Sequence, residues 1–159
     1  MSEKTELVPL KERPEIIDLP IWELLIAEHA KVWPVGSRTI EGAFKPESDH
    51  DFLVFSASPA PHVFDQAGFT LETGGNHYEP SEGYFNSWRK GAVNFVATYR
   101  PSFCENFLKA NTIAQALKLK DREDRVTLFK ALLYNDFPVK IPDPSVKWAW
   151  TPSDDDIPF

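Results

Sequence analysis

Ser48-Asp49-His50-Asp51-Phe52-Leu53-Val54-Phe55, standing ten residues after Gly36-Ser37, decides the fold. Phe52 to Phe55 is a compact apolar run, short enough and bulky enough for a buried strand. In an extended chain, side chains alternate between faces. Asp49 and Asp51, at i and i+2, therefore share one side, and His50 points to the other. The plain alternative is that Ser48, Asp49 and His50 are turn residues bonded to local backbone.

Outward from this strand, the spacing of Trp22, Leu25, Ile26, His29, Ala30 and Trp33 predicts a helix from Pro20 to Trp33, stopped by Pro34. Val35 to Arg38 reads as a short strand and turn, and Phe44 to Ser48 as a loop. A short helix is expected over 61–67 and a strand over Phe69 to Glu72. Gly74-Gly75-Asn76 and Pro80-Ser81-Glu82-Gly83 are turn signals. Tyr84-Phe85 and Val93 to Ala97 read as strands joined through Arg89-Lys90-Gly91. Phe103, Phe107, Ala110, Ala114 and Leu117 form a helical stripe over 102–118. Val126, Phe129, Leu132 and Leu133 mark a further helix. From Phe137 on, repeated prolines favour an extended segment. The pattern predicts an α+β fold: a mixed sheet flanked by helices, a helical C-terminal half and an extended acidic tail. The expected division is a domain over 1–136 and a tail over 137–159.

A net charge of −7 argues against broad binding to nucleic-acid phosphates, which depends on Lys and Arg. The single cysteine, Cys104, cannot form a disulfide within one chain. A charged N-terminus without an apolar stretch, and no apolar run of spanning length, predict a cytoplasmic protein with no membrane partner.

Gly36-Ser37 followed by Ser48-Asp49-His50-Asp51 on a strand, with a helix before it, resembles the minimal form of the nucleotidyltransferase superfamily to which DNA polymerase β belongs. The resemblance covers about residues 20–100. It implies that Gly36, Ser37, Arg38 and Ser48 hold the phosphates of a nucleoside triphosphate. Asp49 and Asp51 would hold Mg²⁺, which stabilises charge on the transferring phosphorus. The family supplies a third carboxylate from a later strand, and the matching position here is Asn94. An amide is not a general base. Either a two-carboxylate site transfers nucleotides by metal and positioning, or the chain is a relative that only binds. Glu72, Glu79 and Glu82 are the acids that could replace the missing one.

A second resemblance covers only the tip. Asp154-Asp155-Asp156-Ile157-Pro158-Phe159 is similar to the C-terminal end of bacterial single-stranded DNA-binding protein. There it is a docking handle for DNA replication and repair enzymes. The acidic run and terminal ring suit a pocket with an apolar floor and a basic rim. The partners implied are proteins of the exonuclease, helicase, primase or clamp-loader class, which the chain would recruit or inhibit. A borrowed handle on a compact body suits a bacteriophage or mobile-element protein. An acidic body mimicking DNA is a further alternative.

Among the remaining candidates, His50 is expected to pack on the far strand face, and His62 and His77 stand isolated. Cys104 reads as a buried thiol. Trp88-Arg89-Lys90 with Tyr84 and Arg100 reads as solvated turn charge, or as a basic-aromatic patch for nucleotides.

Overall fold

The computed structural model describes residues 8–57, 61–72 and 85–133. Its element order is α1 (Leu19–Ala27), β1 (Lys31–Val35), a 3-10 turn (Ser37–Thr39), β2 (His50–Phe55), α2 (Pro61–Gln66), β3 (Thr70–Glu72), β4 (Asn86–Lys90), β5 (Val93–Thr98), α3 (Pro101–Leu117) and α4 (Arg122–Leu133). The strands form one five-stranded mixed sheet in the order β1-β2-β5-β4-β3. β2 and β5 run parallel at its centre, and the other neighbours pair antiparallel. The fold is α+β, as expected.

The sheet divides the interior into two cores. On one face, Ile21, Trp22 and Leu25 of α1 and Val63 and Phe64 of α2 pack on Val32, Phe52, Val54, Trp88 and Phe95. Phe64 lies flat on Trp88, with ring centroids 5.3 Å apart and planes 8° from parallel. Such offset aromatic contacts add to the burial itself. On the other face, Phe103, Phe107, Ala110 and Ala114 of α3 and Phe129 and Leu133 of α4 cover Trp33, Val35, Leu53 and Val96. Covering on both faces is what makes Phe52-Leu53-Val54 a continuous apolar run instead of an alternating one.

The first helix is shorter than its apolar spacing predicts. It ends at Ala27, and residues 31–35, with Trp33 and Pro34, form an edge strand. Alternation explains this: Val32 belongs to one core, Trp33 and Val35 to the other. Pro34 is tolerated because β1 is an edge strand. The helix stops not at a proline but at a Schellman closure. The Ala30 N–H donates to the Leu25 carbonyl and the His29 N–H to that of Ile26, with His29 at φ 56°. α3 ends the same way on Lys118, φ 52°, with Leu119 N–H donating to Ala114. Neither residue is the usual glycine, so the sequence carried no stop signal.

Other boundaries also move. Arg89 and Lys90 lie inside β4, and the hairpin turn is Gly91-Ala92. Phe85 precedes that strand instead of forming it, and Tyr84 lies outside the described residues. α4 begins at Arg122, four residues before Val126, with Glu123 and Asp124 in a first turn that favours negative charge. Residues 134–159, including the docking tip, lie outside the described residues, as do both turn signals at 74–76 and 80–83.

His29 is exposed and holds a left-handed conformation that costs a side-chain-bearing residue about 1–2 kcal/mol. His29→Gly should therefore raise stability by about 0.5–1 kcal/mol, after the extra freedom glycine gains when unfolded. The urea midpoint measures it. Lys118→Gly should gain less, because it also loses a surface ion pair to Glu41.

Candidate functional site

Aligned residues across a sheet share a face, so register assembles the site. Val35 stands opposite Asp51, Asp51 opposite Asn94, and Asn94 opposite Arg89. The next row places Val96 opposite Ser87 and Ser87 opposite Glu72. Both rows face α3 and α4 where the apolar core gives out. They open on a cavity of about 340 Å³. Gly36, Ser37, Ser48, Asp49, Asp51 and Asn94 all line it.

Asp51 is the most constrained group. Asn94 Nδ2 donates to Asp51 Oδ1 at 3.2 Å, and Ser87 Oγ donates to Asn94 Oδ1 at 2.9 Å. Burial pushes the Asp51 pKa up and the Asp49 charge adds to this, while the Asn94 hydrogen bond, Arg89 and Arg122 pull it down. The net shift is upward. Asn94 is thus a neutral donor fixed between a hydroxyl and a carboxylate.

Gly36 is fixed by two constraints. Its φ of 82° and ψ of −164° lie in a region essentially reserved for glycine. A Cβ there would stand 2.5 Å from Asp51 Oδ2. Its N–H is already taken, donating to Asn111 Oδ1 at 2.9 Å. Asn111, buried on α3, also donates from Nδ2 to Thr39 Oγ1, and that hydroxyl donates to the Gly36 carbonyl. A single helix side chain therefore fastens the whole turn. Ser37 opens the 3-10 turn at the cavity wall.

Arg89 bridges two acids. Its Nη1 contacts Asp49 Oδ2 at 2.9 Å, and its Nε donates to Glu72 Oε1. Burial opposes its charge, but Glu72 and Asp49 outweigh that and raise its pKa. Glu72 does reach the cavity, as an ion-pair partner of Arg89. Glu79 and Glu82 lie outside the described residues. Arg122 and Arg125 from the start of α4 complete the wall. Arg125 also donates to the Leu119 and Lys120 carbonyls.

Arg38 does not line the cavity. Its guanidinium donates to the Ser48 and Pro46 carbonyls and lies 5.5 Å from the Phe44 ring centroid, clamping the loop before β2. Ser48 lines the cavity while its Oγ accepts from the Lys45 N–H. His50 is half-buried on the opposite strand face, and burial, with Arg38, lowers its pKa. Of the basic-aromatic candidates, Tyr84 lies outside the described residues, and Trp88 and Arg89 lie on opposite faces of β4. Trp88 is buried against Phe64, Arg89 faces the other way, and Lys90 pairs with Asp18. His62 is exposed near Glu28, and His77 lies outside the described residues. Cys104 is buried, and burial pushes its thiol up to about 11.

Sequence reading missed Asn111, Ser87, Arg122 and Arg125. Asn111 alone left a trace, as a polar residue beside an apolar helical stripe. Among the described residues, no group of three or more His, Cys, Asp and Glu could hold a metal ion, and no helix is long and apolar enough to cross a membrane. The chain matches no known protein family model, no curated protein and no solved structure.

Gly36→Ala should cost at least about 2 kcal/mol in chemical denaturation, from backbone strain plus the Asp51 contact. The cost should be smaller when Asp51→Ala is already present, since the contact is then gone. A second measurement follows from the raised Asp51 pKa. A carboxyl raised in the folded state stabilises below its unfolded pKa of about 3.9, and that contribution is lost as pH rises through the folded value. Asp51→Asn should thus be more stable than wild type at pH 7. The difference should shrink towards pH 4.

Proposed function

We propose that this chain is a nucleotidyltransferase-like domain that binds a nucleoside triphosphate without transferring it, and that residues 154–159 dock it onto host DNA replication or repair proteins. The observation that carries the reading is the joining of Gly36-Ser37, Asp49, Asp51 and Asn94 on one cavity, with Asn94 held between Ser87 and Asp51. The nucleotide phosphates would meet Ser37 and the cations Arg122 and Arg125. The Asn94 amide cannot accept the proton of an attacking hydroxyl, and Glu72, the replacement acid that reaches the cavity among the described residues, is engaged by Arg89. Nucleotide occupancy would then act as a state of the body, and the tail would bring that state to a partner.

A second reading keeps the chain active. It is favoured by the two aspartates sharing the cavity, where a nucleotide-bound Mg²⁺ would supply charge neutralisation. Both readings meet in one set of measurements. ATP should bind in titration calorimetry, and Arg122→Ala should weaken it about tenfold, the usual loss for one charge-assisted contact. Labelled nucleotide should not be transferred. Transfer that disappears in both Asp49→Ala and Asp51→Ala would establish the active reading, and absence of any nucleotide binding would remove both. Deleting Phe159 should abolish capture of a purified single-stranded-DNA-binding-tail receptor such as a bacterial exonuclease. Unchanged capture would refute the docking role.

A further inference from the structure

Taking the cavity as a nucleotide site, we infer that Arg89 is its built-in cation, occupying the place of the divalent ion, so that triphosphate binds without metal. The donors present do not fit a divalent ion. Asp49 Oδ2 holds Arg89 Nη1 at 2.9 Å, Asp51 Oδ1 accepts from Asn94, and the Asn94 carbonyl accepts from Ser87. A hard cation prefers several oxygen ligands at close range. Here the Asn94 carbonyl is already engaged, a positive group stands against one of the two carboxylates, and among the described residues no group of three or more His, Cys, Asp and Glu could hold a metal ion.

The guanidinium is well placed to replace the ion. Arg89 comes from β4, aligned with Asn94, and reaches across to Asp49 at the entry of β2. Glu72 fixes it from the other side. Of its five N–H donors, the contacts to Asp49 and Glu72 use two, which leaves three for phosphate oxygens. Charge agrees with this role. Asp49, Asp51 and Glu72 line the cavity against Arg89, Arg122 and Arg125, so the acids are neutralised before any ligand arrives. Arg89 also stays protonated at every working pH, unlike a bound ion that can dissociate.

The test compares metal dependence with metal affinity. Wild-type protein should bind ATP in EDTA, and added Mg²⁺ should change the affinity less than about threefold. ATP binding only with Mg²⁺ would overturn the role of Arg89 and leave the nucleotide reading standing. Absence of ATP binding in both conditions would remove the nucleotide reading instead. Direct Mn²⁺ binding, followed by electron paramagnetic resonance, needs no nucleotide. Arg89→Gln should bind Mn²⁺ at least about tenfold more tightly than wild type, the size expected for removing one neighbouring cation. Asp49→Asn added to it should cancel the gain, and Arg89→Lys should stay near wild type. Equal Mn²⁺ binding by wild type and a folded Arg89→Gln would refute the inference, and the wild-type ATP comparison decides it if that variant does not fold.

Discussion

A carboxylate placed at the seam of two parallel strands sets the terms for its surroundings. Asp51 sits where the apolar run of β2 begins, so one neighbour along the strand is Phe52 in the core and the other side is polar. Removing a carboxylate from water is costly unless hydrogen bonds and charges replace the solvent. The Asn94 amide from β5, the more distant guanidinium groups and a turn without a side chain at Gly36 are the local answers. Each comes from a different element, so the strand register and the turn must form together.

The same demand links the site to the second core. α3 is mainly an apolar cover for the sheet, yet Asn111 on its buried side holds the Gly36 N–H and the Thr39 hydroxyl. A buried amide is tolerated when its polar atoms are satisfied, and this one is satisfied by the turn it organises. Packing of Phe103 and Phe107 thereby fixes the height of Asn111, and through it the distance between turn and carboxylate. The precision of the cavity thus depends partly on Phe103, which does not line it.

How much of this was legible in the sequence differs by residue. Asp49 and Asp51 could be set on one face because a strand has a period of two, and α3 could be found because its stripe repeats at helical spacing. The strand at 31–35 was hidden, because Trp33 also continues the spacing of α1 and because no glycine announces the turn at His29. Arg122, Arg125 and Ser87 reach the cavity only by folding, from segments distant in sequence. Arg89 could be seen as a charge near a turn, but its direction depends on where β4 begins. A shift of one residue would have sent it to the aromatic face and brought Trp88 to the acids.

β3 introduces a different kind of control. It has three residues, all exposed, and among the described residues it pairs on one side only. Short edge strands open locally at low free energy, well before the domain unfolds. Glu72 is the last of these residues, so each such opening detaches it from Arg89 while leaving Asp49 in place. Any opening of this margin would therefore change the electrostatic potential inside the cavity, because Glu72 and Arg89 both line it.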